Sequence, residues 1–166
     1  MREMPNMTIF VPCDPTEMEK AVFAAAEIDG PVYIRVARPV CEDITTEDTP
    51  FIPGKANILK DGNDVCIITM GLMVPIALKA AEMLEAEGIS AAVVNMHTVK
   101  PIDAETILAM NEKCKGIVTA EEHDLPELNS KELVSRINSE NPVNQMNCLQ
   151  LMDLQLRTSL KNAKQH

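Results

Sequence analysis

Few residues in this chain of 166 have the type and spacing to do chemistry. His97 stands in the run Asn95-Met96-His97-Thr98-Val99-Lys100-Pro101-Ile102-Asp103, and His123 closes Glu121-Glu122-His123. Both runs follow short apolar stretches that read as parallel strands. If those strands are neighbours, His97, Glu121, Glu122 and His123 leave one edge of a sheet together, with Lys100 close by. Two imidazoles with carboxylates suit zinc or iron, although this spacing matches no known ligand signature. The plainer reading is that the histidines cap and orient loops by hydrogen bonding. Arg35 and Arg38 follow another apolar strand and otherwise read as solvated arginines pairing with the acidic stretch beyond them. Of the cysteines, Cys66 and Cys148 fall inside expected strands and read as core. Cys13 and Cys114 lack the nearby histidine that marks a nucleophile. No Ser–His–Asp order, nucleophile elbow, GxGxxG or P-loop is present.

The elements that must position these residues follow from periodicity. Thr8 to Val11 reads as a strand. Asp14-Pro15-Thr16-Glu17 then supplies an N-cap, a first-turn proline and a carboxylate three residues after the cap. The helix it opens places Met18, Val22, Ala25 and Ala26 on one face and stops at Gly30. Pro31 to Ala37 is a second strand. Two strands and a helix cannot enclose a core, so this unit is expected to need a partner. Residues 41–53 are acidic and proline-punctuated and read as a linker. Strands at Asp64–Met70, Ala91–Met96 and Gly116–Ala120 then alternate with helices at Met73–Glu87 and Ala104–Glu112. The first of these helices carries Ile76, Ala77, Ala80, Met83 and Leu84 on its buried stripe and ends at Gly88. Pro101 bars a helical conformation at Lys100, and Asp103 can cap the helix after it. Lys113 and Lys115 suit that helix's C-terminal dipole. A helix near Ser130–Ser139 and a strand at Met146–Met152 complete a mostly parallel, doubly wound α/β domain over residues 54–166.

Composition narrows the classes of function. Hydrophobic residues make up 46% and charged residues 24%, an ordinary globular balance. A formal charge of −10 opposes nucleic-acid binding, which needs a basic surface. Five scattered cysteines without a CxxC pair read as reduced thiols. With no leader pattern and no run long enough to cross a membrane, the expectation is a cytoplasmic protein.

Asn95 to Asp103, Gly54-Lys55-Ala56, Thr69-Met70-Gly71 and Val118 to His123 together resemble, in order, the C-terminal domain of transketolases and related thiamine diphosphate enzymes. Met4 to Met7, Val11 to Asp14 and Gly30 to Arg35 resemble the end of the pyrimidine-binding domain of the same enzymes. The resemblance implies that residues 1–40 end a pyrimidine-binding domain and that 54–166 form the transketolase C-terminal domain. It implies two-carbon ketol transfer between sugar phosphates with thiamine diphosphate and magnesium in the complete enzyme. In such enzymes the activating glutamate and the ring-holding aromatics lie upstream of the stretch matched here. The chain alone is therefore expected to bind neither cofactor nor metal, and to work as a homodimer, with an N-terminal half, or both.

The resemblance also assigns roles. Arg38 aligns with an arginine that contacts the sugar phosphate, and the edge bearing His97, Lys100, Glu121, Glu122 and His123 would face the pyrimidine domain. Asp61-Gly62-Asn63-Asp64 imitates the family's magnesium motif but precedes a strand instead of following one, so it reads as a tight turn. The segment Asp124 to Asn129 lacks the glycines usual after His123 in related chains, which favours an alternative class, a diverged assembly or protein-binding module. Within the family, a 1-deoxyxylulose-5-phosphate synthase or a 2-oxo acid dehydrogenase β subunit is the nearest competitor, and Asn95-Met96-His97-Thr98 favours transketolase over both.

Overall fold

The computed structural model describes residues 1–121, so the elements expected at Ser130–Ser139 and Met146–Met152, and the segment Asp124–Asn129, lie outside the described residues. The chain opens with β1 (Thr8–Phe10), α1 (Pro15–Glu27) and β2 (Val32–Ile34). The two strands pair in parallel, Thr8 with Val32 and Phe10 with Ile34. α1 starts as its sequence directs: the Asp14 carboxylate accepts from the Glu17 backbone at 2.7 Å, and Pro15 takes a first-turn position. Its buried face differs from the expected stripe. Glu17 and Ala21 are buried, while Val22 is 48% exposed and Ala26 is open to solvent. The cause is polar, because the Glu17 carboxylate takes backbone and amide hydrogens from the structure beneath it and turns that side of the helix inward.

A second sheet follows, formed by β3 (Asn57–Lys60), β4 (Val65–Thr69), β5 (Ala91–Asn95) and β7 (Gly116–Ala120) in the order β3-β5-β4-β7. β4 runs parallel to β5 and β7, and β3 is an antiparallel edge. β3 is not foreseeable from the sequence, because four half-exposed residues without alternation give little strand signal. Successive residues of β4 and β5 point to opposite faces. Val65, Ile67 and Val93 pack on α2 (Met73–Ala86), through Ala77, Ala80, Ala81 and Leu84. Cys66, Ile68, Ala92 and Val94 pack on α3 (Ala104–Lys113), through Ile107 and Met110. Each fully buried branched side chain contributes roughly 1.5–3 kcal/mol, which fixes the three layers.

Local signals set the joints. The Asp103 carboxylate caps α3 through Thr106 N, and Gly88 closes α2 with φ +82. Asp61 to Asp64 links β3 to β4, which are not adjacent in the sheet, so it is no hairpin turn. A Cβ on Gly62 would lie 2.4 Å from backbone atoms of Ala91 and Ala92, so close approach to β5 is what requires a glycine there.

The largest departure from expectation is β6 (Thr98–Lys100). The sequence pattern marks no strand here, yet these residues form one antiparallel to β1, with Ile9 opposite Lys100 and Phe10 opposite Thr98. The first sheet is therefore β2-β1-β6, and one open edge of the N-terminal unit is covered from within the chain. Pro101, which follows a cis bond, keeps Lys100 out of the helical region, and the extended Thr-Val-Lys run is then free to pair with β1.

Candidate interface site between the two sheets

Where β5 gives way to β6, the two sheets share a polar seam. Glu17 of α1 accepts from Cys13 N at 2.8 Å and from Asn95 Nδ2, at the end of β5, at 2.8 Å. Asn95 Nδ2 also lies 3.6 Å from the Cys13 sulfur. Burial raises the Glu17 carboxyl above its ordinary range, against these hydrogen bonds. The Cys13 thiol is pushed up by burial and then by the Glu17 and Asp14 carboxylates, so it stays protonated and is no nucleophile. Asp14 does more than cap. Its carboxylate also accepts from the Ile44 and Thr45 backbone and from Thr45 Oγ1, which pins the linker to α1. Lys20 adds hydrogen bonds to the carbonyls of Thr46, Glu47 and Thr49.

His97 is wholly buried. Its ring stacks on Phe51 of the linker at 4.2 Å, and Phe51 meets Phe10 edge-on at 5.2 Å. Nδ1 lies 3.1 Å from Thr98 Oγ1, while Nε2 has no hydrogen-bond partner among the described residues. Burial pulls the imidazole down to about 4, against the pull of Asp103, so it is neutral at ordinary pH. Lys100 sits at the surface end of β6, where its ammonium donates to the carbonyls of Arg2 and Met4. Glu121 is exposed just past β7, and Glu122 and His123 lie outside the described residues. β5 and β7, expected as neighbours, are separated by β4. Among the described residues no three His, Cys, Asp or Glu side chains gather to hold a metal ion.

Arg35 and Arg38 line a cleft of about 310 Å³ together with Val11, Pro12 and the Met70-Gly71-Leu72 turn that precedes α2. The stretch that imitates a diphosphate–metal motif does not fit that task. Asp61 pairs with Lys113, Asp64 pairs with Lys115 at 2.6 Å, and Gly62 is wedged against β5. Both carboxylates are held below their ordinary range by those lysines. The sequence reading missed Glu17, Asn95 and Phe51. Glu17 was absorbed into a capping pattern, Asn95 into a strand, and Phe51 into a linker. A polar residue ending an apolar strand was the available signal for Asn95.

Comparison with known proteins finds matches along the same stretch. The family model for the transketolase C-terminal domain matches residues 54–159. The chain is 45% identical over 121 residues to the 6-deoxy-6-sulfo-D-fructose transketolase subunit SqwH of Clostridium sp. (strain MSTE9), covering 73% of this chain and 38% of that one. It is 40% identical over 127 residues to 1-deoxy-D-xylulose-5-phosphate synthase of Heliobacterium modesticaldum, covering 75% and 20%. A solved structure described as a split-gene transketolase, inactive β4 tetramer, superposes with a TM-score of 0.78 at 36% identity, covering 83% of this chain and 58% of that one. The chain thus spans less than half the length of these curated relatives. No helix among the described residues is long and apolar enough to cross a membrane.

Proposed function

The chain belongs to the transketolase family, through its C-terminal domain, and on that premise we propose that it is the C-terminal section of a split transketolase. In this reading residues 1–40 end a pyrimidine-binding domain, 41–53 link, and 54–166 form the C-terminal domain. Joined to a polypeptide carrying the diphosphate-binding half, it serves two-carbon ketol transfer between sugar phosphates. The supporting observation is the Glu17–Asn95 bond with the Phe10–Phe51–His97 stack, which locks β1 and α1 onto the C-terminal sheet as a prebuilt wall. The seam residues position and do not react. Thiamine diphosphate and magnesium belong to the partner half, since the one motif-like stretch here has its carboxylates occupied by lysines. Arg38, at the cleft, takes the phosphate of a sugar substrate, a role its guanidinium fork suits. His97, Lys100 and the Glu121–His123 edge support the pyrimidine domain from behind. Free thiols at Cys13, Cys41, Cys66 and Cys114 agree with a cytoplasmic setting.

A second reading is an assembly module without activity. Its support is the split-gene neighbour, whose description names an inactive assembly of four β chains. Self-association is common to both readings. The decisive experiment mixes this chain with a diphosphate-binding half, thiamine diphosphate and magnesium, and assays ketol transfer to a phosphorylated aldose. Activity in the mixture and none in the chain alone is expected, with Arg38→Ala raising KM for the phosphorylated acceptor more than it lowers kcat. Binding of thiamine diphosphate by the chain alone at micromolar concentration overturns the division of labour. Formation of 1-deoxyxylulose 5-phosphate in the mixture instead would move the assignment to the synthase branch.

A further inference from the structure

The seam between the sheets holds two buried carboxyls. Asp14 is 4% exposed and Glu17 2%. They stand one turn apart at the start of α1, where the Glu17 N–H donates to Asp14. The elements packed around Glu17 bring it no positive charge. β5 contributes the Asn95 amide, and beside Asn95 on β4 stands the Thr69 hydroxyl. The turn before α1 contributes the Cys13 N–H and thiol. The linker contributes Thr45, which faces Asp14. Lys20, the only lysine of α1, spends its ammonium on the carbonyls of Thr46, Glu47 and Thr49. His97 is held neutral and turns its ring to Phe51. Among the described residues no Lys or Arg forms an ion pair with either carboxyl.

The two carboxyls are not equivalent. Asp14 accepts from the N–H groups of Glu17, Ile44 and Thr45 and from the Thr45 hydroxyl, at the positive end of α1. That surrounding satisfies a carboxylate. Glu17 accepts from Cys13 N and Asn95 Nδ2. A second negative charge in a closed seam, beside the first and with no counter-ion, costs more than neutral donors return. Burial raises the Glu17 carboxyl, and the Asp14 charge adds to it, over the pull of the hydrogen bonds. A neutral acid fits the same place. Both of its oxygens keep lone pairs for the two N–H donors, and its O–H has the Cys13 sulfur, which already hydrogen-bonds this carboxyl.

We propose that Glu17 is a proton site, held as a neutral carboxylic acid where a free carboxyl is ionised, so that one proton latches β1 and α1 onto the C-terminal sheet. Loss of that proton leaves a bare charge between the sheets and loosens the seam. The cleft of Arg38 has walls from both units, Val11 and Pro12 on one and Met70 to Leu72 on the other, so the latch also holds its width. The latch does not depend on whether Arg38 takes a phosphate. Linkage fixes the sign of the test. The folded chain holds this proton more tightly than the unfolded one. The stability involved is therefore fully present below the ordinary 4.5 and is lost as pH rises through the folded value. His97 runs the opposite way, so urea unfolding is followed in a His97→Phe background from pH 5 to 8, below the range where thiols ionise. There the unfolding constant should rise with pH by up to about tenfold per unit until Glu17 ionises in the folded chain. Adding Glu17→Gln should abolish that rise, the Asn95 amide turning over to meet the new N–H through Oδ1. Infrared spectra of the full parent chain at pH 6.5 supply a second readout. A protonated-carboxyl band is expected in the folded chain, absent after heat unfolding and absent from Glu17→Gln. A folded parent without that band, or a pH dependence that Glu17→Gln leaves unchanged, overturns the proposal. If the variant does not fold, the band in the parent decides.

Discussion

At the scale of single residues, His97 is the side chain whose placement changes its meaning most. Its place at the end of an expected strand, beside the Glu121-Glu122-His123 run, makes it a candidate ligand or loop cap in the sequence. A ring stacked between layers leaves no periodic trace, so its burial could not be read from the sequence. Since burial lowers its folded value to about 4 against an ordinary 6.5, the unfolded chain takes up the proton first as pH falls. The stability due to neutral His97 is thus fully present above 6.5 and is lost as pH falls toward 4. It amounts to about 3 kcal/mol at most. Phenylalanine keeps the stack on Phe51 and discards Nε2, which has no hydrogen-bond partner among the described residues. His97→Phe should cost about 1 kcal/mol at pH 7.5, from the hydroxyl of Thr98 left behind. At pH 5 it should be more stable than the parent, with urea unfolding at the two pH values as the measurement. A variant with the parent's pH slope would place the titrating group elsewhere.

Among the elements, the ends were more legible than the neighbours. Caps are local chemistry, so Asp14, Asp103 and Gly88 could be read within a few residues of themselves. Asp103 carries more than a cap, because its second oxygen accepts from Ala56 N at 2.9 Å and from Thr106 Oγ1 at 2.7 Å. Asp103→Ala should therefore destabilise by about 2 kcal/mol, beyond the roughly 1 kcal/mol of an ordinary cap. A thermal melt matching the parent would remove that claim. Two glycines separate conformation from space. Gly88→Ala meets open space at positive φ and should cost about 1 kcal/mol, whereas Gly62→Ala meets the β5 backbone and should cost at least about 3 kcal/mol. Equal costs would mean that β5 yields. Pairing partners were harder to read. β3 and β6 are short edge strands whose partners lie far along the chain, and periodicity carries no such information.

For the whole molecule, the strand–helix alternation sufficed to give the doubly wound sheet, but not the way β6 returns to the N-terminal unit. Because of that return, the first unit should not melt by itself. Tyr33, the chain's only tyrosine, reports on β2, while far-ultraviolet circular dichroism is dominated by the larger sheet and its helices. The two urea transitions should coincide, with one midpoint and one slope. An early loss of the tyrosine signal would show that the seam between the sheets is weaker than its buried bonds imply. The β1–β6 pairing also sets an order of events during synthesis. β1 leaves the ribosome well before β6, which is some ninety residues behind it in the chain. At about 5–20 residues per second, Ile9 and Phe10 wait roughly 5–20 s for Thr98 and Lys100 to be made. During that interval a β1 edge that is later covered stands open on the nascent chain.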